Sequence, residues 1–259
     1  MAHYYFVGSA LPELRIDAPP EMGFQEFETL LYENLKPSDL ADFKLLRLYY
    51  DIQNIRAFWK KEPFDHLGTY NENELEEALV VGEGFPDYVL DFLRVHEKIE
   101  DRLAHFPKLV SAFFREEERH SKGFIQKFLC FEREWRLVLA AFRAKKRGQD
   151  LIQVFQYEDP SDNLVAQFLA QKDSSAFETP EGYEELKQLF EEHYDSPLAL
   201  YQALAEYRFQ KIESFWGTDV FSIDRIYAYF VQLVLVEKWQ ALDRQKGIQT
   251  VDTLVKDAS

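Results

Sequence analysis

Residues 45–61, LLRLYYDIQNIRAFWKK, constrain the fold more than any other stretch. Leu45, Leu48, Tyr49, Ile52, Ile55 and Trp59 recur at the 3.6-residue spacing of an amphipathic helix. A polar line, Arg47, Asp51 and Asn54, runs through that helix, which ends in Lys60 and Lys61 just before Pro63. Polar groups taken out of water need partners. The line therefore predicts a lock of buried hydrogen bonds between this helix and a neighbour.

The same periodicity recurs along the chain and predicts an all-α protein of about ten helices, with at most one short strand. Residues 3–7, HYYFV, whose aromatic and branched composition ends at Gly8-Ser9, read as that short strand or as an extended arm. Residues 24–35 read as a helix stopped by Pro37, and Ser38 as the N-cap of a helix over 39–60. Asn71 caps a helix over 72–81, closed by Gly82. Pro86 opens a helix whose stripe runs Val89, Phe92, Leu93, His96, Ile99 and Leu103, and Pro107 restarts the chain. Residues 108–148 read as helix with a break near 121–123, since Gly123 costs about 1 kcal/mol there relative to Ala. Further helices are expected at 164–169, from Pro180 to about His193, and from Ser196-Pro197 to an end at Gly217. The last begins near Ser222 or Asp224, is apolar over a wide arc, and is expected to end at Gly247.

Composition narrows the function. The net charge is −16, with basic residues scattered, which argues against nucleic acid and anionic lipid as partners, because both demand a concentrated basic surface. One basic knot, Arg143, Lys145, Lys146 and Arg147, fits the C-terminal end of a helix better than a phosphate site. No apolar run reaches the roughly 18 residues that span a bilayer, and no secretion signal is visible. A single cysteine, Cys130, permits no internal disulfide and fits a reducing cytoplasm.

A recognisable catalytic kit is missing. Glu117-x-x-His120 is the single Glu-x-x-His unit, where a di-metal bundle needs two. All six histidines, His96 and His105 among them, read as structural, and no metal or cofactor is expected. Cys130 reads as a buried, inert thiol, and the Glu116–Glu118 run as a solvated helix face. Nucleophile-elbow, Walker and dinucleotide fingerprints are absent.

Three helices share an order of acid, basic end and breaker: YYDIQNIRAFWKKEP, FEREWRLVLAAFRAKKRG and LVEKWQALDRQKG. Ordinary macrodipole design accounts for this. So does a degenerate repeat of three helical lobes, with expected bounds 1–66, 67–150 and 151–259.

On HYYFVGSALPEL, YYDIQNIRAFW, NENELEEAL and IYAYFVQLVLVEKWQALDRQKG, the chain resembles a bacterial family of uncharacterised proteins encoded among V-type ATP synthase genes. That family is similar, more distantly, to the C-type central-stalk subunit of V/A-type ATPases, the d-type of eukaryotes. There a Tyr-Asp-x-x-Asn pattern recurs on lobe helices, and Tyr50, Asp51 and Asn54 fit it. The second and third copies depart from it, with Glu134-Trp135 and Glu237-Lys238-Trp239, and the chain is shorter than a typical C-type stalk protein. The resemblance implies a funnel of three helical lobes and a non-catalytic central-stalk role, with the rotor ring and central-shaft subunits as protein partners. It implies a cytoplasmic location, peripheral to the inner membrane through the complex. The expected structural lock is then Arg47, Tyr50, Asp51 and Asn54. The alternatives are an assembly or regulatory factor of the same complex, and an unrelated helical enzyme without a recognisable motif.

Overall fold

The computed structural model describes residues 4–174 and 177–257, with side chains as far as 242. Among these residues every regular element is a helix. In chain order they are α1 (Tyr5–Ala10), α2 (Phe24–Asn34), α3 (Pro37–Lys60), α4 (Glu72–Val81), α5 (Asp87–Val95) and α6 (Ile99–His120). There follow α7 (Gly123–Arg147), α8 (Leu151–Val154), α9 (Asn163–Ala170), α10 (Glu184–His193), α11 (Pro197–Glu213) and α12 (Ile223–Asp257). They fall into two compact units. One joins Met1–Leu40 to Gln188–Ser259, and the other is the continuous Ala41–Lys187. The expected lobe boundaries at 66–67 and 150–151 both lie inside the continuous unit.

In the discontinuous unit α12 is the spine. Every residue from Ile226 to Val236 is buried, so the wide apolar arc of the sequence becomes a helix packed on several sides, against α1, α2 and α11. Phe27 meets Tyr229 and Phe230 at ring distances of 5.2 and 6.4 Å. Gly23 precedes α2 and offers no capping side chain; Glu237 of α12 supplies the acceptor instead, 2.8 Å from the Phe24 N–H. Gln232, inside the apolar run, is satisfied by Glu213 at 2.7 Å.

The expected strand is a helix. Residues 5–10 coil as α1, which buries Val7 and takes Gly8 and Ser9 into the helix. A lone strand in an all-helical unit has no ladder partner, whereas a helix satisfies its own backbone. His3 lies outside the described residues.

In the continuous unit α6 and α7 pack along one another, and aromatic rings fill the core. Tyr49 meets Phe113 at 5.7 Å and Phe114 at 5.9 Å, and Trp59 meets Phe106 edge-on at 6.5 Å. The helix break expected near 121–123 is present: α6 ends at His120 and α7 opens on Gly123. Other boundaries differ. The helix expected from Pro86 to Leu103 breaks at His96, because Arg102 takes the carbonyls of His96 (2.6 Å) and Leu93 (3.2 Å) that a continuous helix would use. Pro107 stands inside α6 rather than before it. Helix α3 opens on Pro37, a favoured first-turn residue, so Ser38 lies inside the first turn. Helix α10 starts at Glu184, after a turn at 180–183, and α12 continues past Gly247.

Candidate functional site

Arg47, Asp51 and Asn54 sit at i, i+4 and i+7 of α3, on one face, and are 4%, 1% and 1% exposed. What they meet is a loop, not a neighbouring helix. Arg47 donates from Nε to the Leu67 carbonyl at 2.8 Å and from Nη2 to the Gly68 carbonyl at 2.5 Å. Asp51 Oδ1 accepts the Thr69 N–H at 2.6 Å and the Tyr70 N–H at 3.2 Å, while Oδ2 accepts the Thr69 hydroxyl at 2.7 Å. Asn54 exchanges two bonds with the backbone of Asp65, at 2.8 and 2.9 Å. Residues 65–70 are thus drawn onto α3 by their own backbone groups. They deliver Asn71 to its place, where it and Glu74 form a reciprocal capping box that starts α4. Tyr50 is placed differently: it meets Tyr49 edge-on at 5.7 Å, and its electrostatic contribution falls on Arg136.

Burial pushes the Asp51 carboxyl above its usual range; the bonds from Thr69 and Tyr70 and the charge of Arg47 pull the other way without overtaking it. The same loop explains Gly68. A Cβ there would lie 2.5 Å from Asn54 Nδ2 and 2.7 Å from Asp51 Oδ1. Gly68→Ala is expected to push the loop off α3 and cost about 1–3 kcal/mol, the range for overpacking a tight site. Urea unfolding checks it; an unchanged midpoint would mean that the loop is not held where described.

A second cluster gathers residues that the sequence presents singly. His96 Nδ1 is 2.5 Å from Asp101 Oδ2, and His105 Nδ1 is 3.0 Å from Asp101 Oδ1. The two imidazoles stack, with centroids 4.6 Å apart and planes within 20°. Two histidines and a carboxylate have the chemistry of a transition-metal ligand set. The arrangement fits hydrogen bonding better. Each imidazole turns its Nδ1 to Asp101, and His96 Nε2 is buried with no hydrogen-bond partner among the described residues. The hydrogen bond from His96, foremost, holds the Asp101 carboxyl below its usual range. The sequence signal is local: Asp101 and His105 are one turn apart at the start of α6, and His96 lies just before it.

The remaining candidates resolve individually. Glu117, within the run expected to be solvated, is buried and accepts the Tyr88 hydroxyl at 2.8 Å. His120 instead faces the Glu116 carbonyl at 2.7 Å, so Glu117 and His120 form no ligand pair. Cys130 is half-buried, and burial first, then Glu134 and Glu118, push its thiol up to about 12, far from a nucleophile's range. In the basic knot, Lys145 donates to the carbonyls of Gln171, Lys172 and Ser174 at 2.6–3.0 Å. Its ammonium closes a neighbouring helix end.

Fold and site together define an all-helical protein in which the buried polar line of α3 serves the chain's own backbone. The chain belongs to the family described as "Protein of unknown function (DUF2764)", whose model matches residues 1–258. It is similar to an uncharacterised protein of Chlamydia pneumoniae, 30% identical over 99% of this chain and 98% of that protein. Uncharacterised proteins of Chlamydia muridarum and Chlamydia trachomatis are each 29% identical over the same shares. No solved structure matches the chain, and no helix among the described residues is long and apolar enough to cross a membrane.

Proposed function

We propose that this chain is a non-catalytic central-stalk component of a V/A-type ATPase, of the C-type (eukaryotic d-type) kind, which couples the membrane rotor ring to the central shaft. One observation carries the reading. Asp51 and Asn54 of the Tyr-Asp-x-x-Asn pattern, with Arg47, are spent on the backbone of residues 65–70 and buried beneath it. Asp51 and Asn54 of that pattern are therefore used mechanically, to stiffen a helix–loop–helix segment. A coupling part needs stiffness and surface rather than an acid or a base, and interlocked aromatic helices supply the first. Its partners in this role are the ring and shaft subunits, and its seat is the cytoplasmic side of the membrane, held through the complex.

The test is purification of the intact complex through a tagged shaft protein, with counted stoichiometry and imaging by electron cryomicroscopy. One copy at the ring–shaft junction is the expected result. A chain found only on partly assembled complexes would mark an assembly factor and overturn the stalk role. A chain absent from every complex would remove the association altogether.

A further inference from the structure

We propose that the groove formed by α3, α6 and α7 binds a small organic anion, a carboxylate or phosphate carried on a flat apolar body. The groove holds about 490 Å³, within the range of small-molecule sites. Its three arginines differ in their commitments. Arg133 is taken by Glu158 at 3.5 Å and Asp162 at 3.1 Å. Arg56 makes no ion pair among the described residues, and its guanidinium lies over the Phe106 ring at 5.7 Å. Arg136 is stacked over Tyr49 at 4.6 Å and Phe114 at 5.0 Å and held by Glu132 at 2.8 Å.

Arg136 is fixed without being saturated. Its side chain is 28% exposed, and its Nη1 is buried with no hydrogen-bond partner among the described residues. A buried donor in that condition is costly, and a carboxylate or phosphate is the acceptor that the fork of a groove-lining guanidinium matches. The single acid lining the groove is Glu158, which Arg133 already engages, so Arg56 is the lining cation without an ion pair among the described residues. A cation beside low-dielectric walls draws in an anion. The apolar lining residues, Leu103, Val110, Leu137 and Ala140, offer nothing to a bare phosphate. They select an anion with a carbon body, ring faces against the apolar side and oxygens toward Arg56 and Arg136.

Isothermal titration of the full chain with 2-naphthoate, phenyl phosphate, inorganic phosphate and uncharged 2-naphthalenemethanol tests the site. Either or both aromatic anions should bind saturably, and inorganic phosphate and the neutral alcohol about tenfold or more weakly. Arg56→Gln, outside the Glu132 pair, should stay folded by circular dichroism and weaken the bound anion about tenfold. Arg136→Gln should abolish binding. The proposal is overturned if neither aromatic anion saturates, if phosphate or the neutral alcohol binds as tightly, or if folded Arg56→Gln binds like the wild type. None of these outcomes bears on the stalk role.

Discussion

Asp51→Ala should lower the unfolding free energy by about 3–5 kcal/mol, the range for removing one member of a buried charged network. In a chain of this size that is a fall in Tm of roughly 10 °C. The loss comes from what the carboxylate leaves behind. The Thr69 N–H, the Tyr70 N–H and the Thr69 hydroxyl lose their acceptor, and Arg47 loses its counter-charge. An unchanged melting temperature would end the account of the α3 polar line as a lock. Asp51→Asn, which keeps one acceptor oxygen, should cost less, and its pH dependence has a distinctive sign. The folded pKa of Asp51 is raised, with burial as the main cause. The folded state therefore holds the proton more tightly than the unfolded state does. The stabilisation linked to that proton is fully present below the unfolded pKa and is lost as pH rises through the folded one. The cost of Asp51→Asn should accordingly be larger in acid than at neutral pH, the reverse of an ordinary surface salt bridge. Urea unfolding of both proteins across that range measures it.

Arg136→Ala should cost about 3 kcal/mol, at the lower end of the range for breaking a buried ion pair, because the arginine side chain is 28% exposed. Its partner Glu132 is 2% exposed, so the substitution withdraws the guanidinium from a carboxylate that water does not reach. It also removes the guanidinium stacked over the rings of Tyr49, Phe114 and Trp135. Burial opposes the charge of Arg136, but Glu132 and then the Tyr49 and Tyr50 hydroxyls outweigh it and keep the group cationic. The double variant Glu132→Gln, Arg136→Met restores volume without leaving a charge behind and should be more stable than Arg136→Ala alone. If the double variant is the less stable of the two, the pair contributes more than its desolvation cost.

These two sites mark where the sequence was legible and where it was not. Local signals carried through. The stripe of α3 is a helix ending at Lys60, Asn71 and Ser196 cap the helices that follow them, and Gly123 stands at the break between α6 and α7. The buried polar line was visible because three polar residues at helical spacing interrupt an apolar pattern. Its partner was not, because the loop at 65–70 has no periodicity to announce it. Arg136 lies in FEREWR, where it reads as one more charge on a helix; the rings around it come from α3, α6 and its own helix, brought together only by packing. The break at His96 was hidden because the apolar stripe stays in phase across it, and the cause is a guanidinium that competes for helix carbonyls. The strand expected at 3–7 failed because β-composition specifies a strand only where a partner strand exists.

The discontinuous unit has a consequence for synthesis. A ribosome releases the chain from its N-terminus, and domains fold as they emerge. Residues 1–40 come out first, but the helix they pack on, α12, begins at Ile223, and the acceptor that caps α2 belongs to Glu237. The Phe27 ring, fully buried in the finished protein, therefore waits exposed while the continuous segment 41–187 emerges and folds. The order of folding departs from the order of synthesis: the segment 41–187 closes first, and α2 closes only once α12 has emerged.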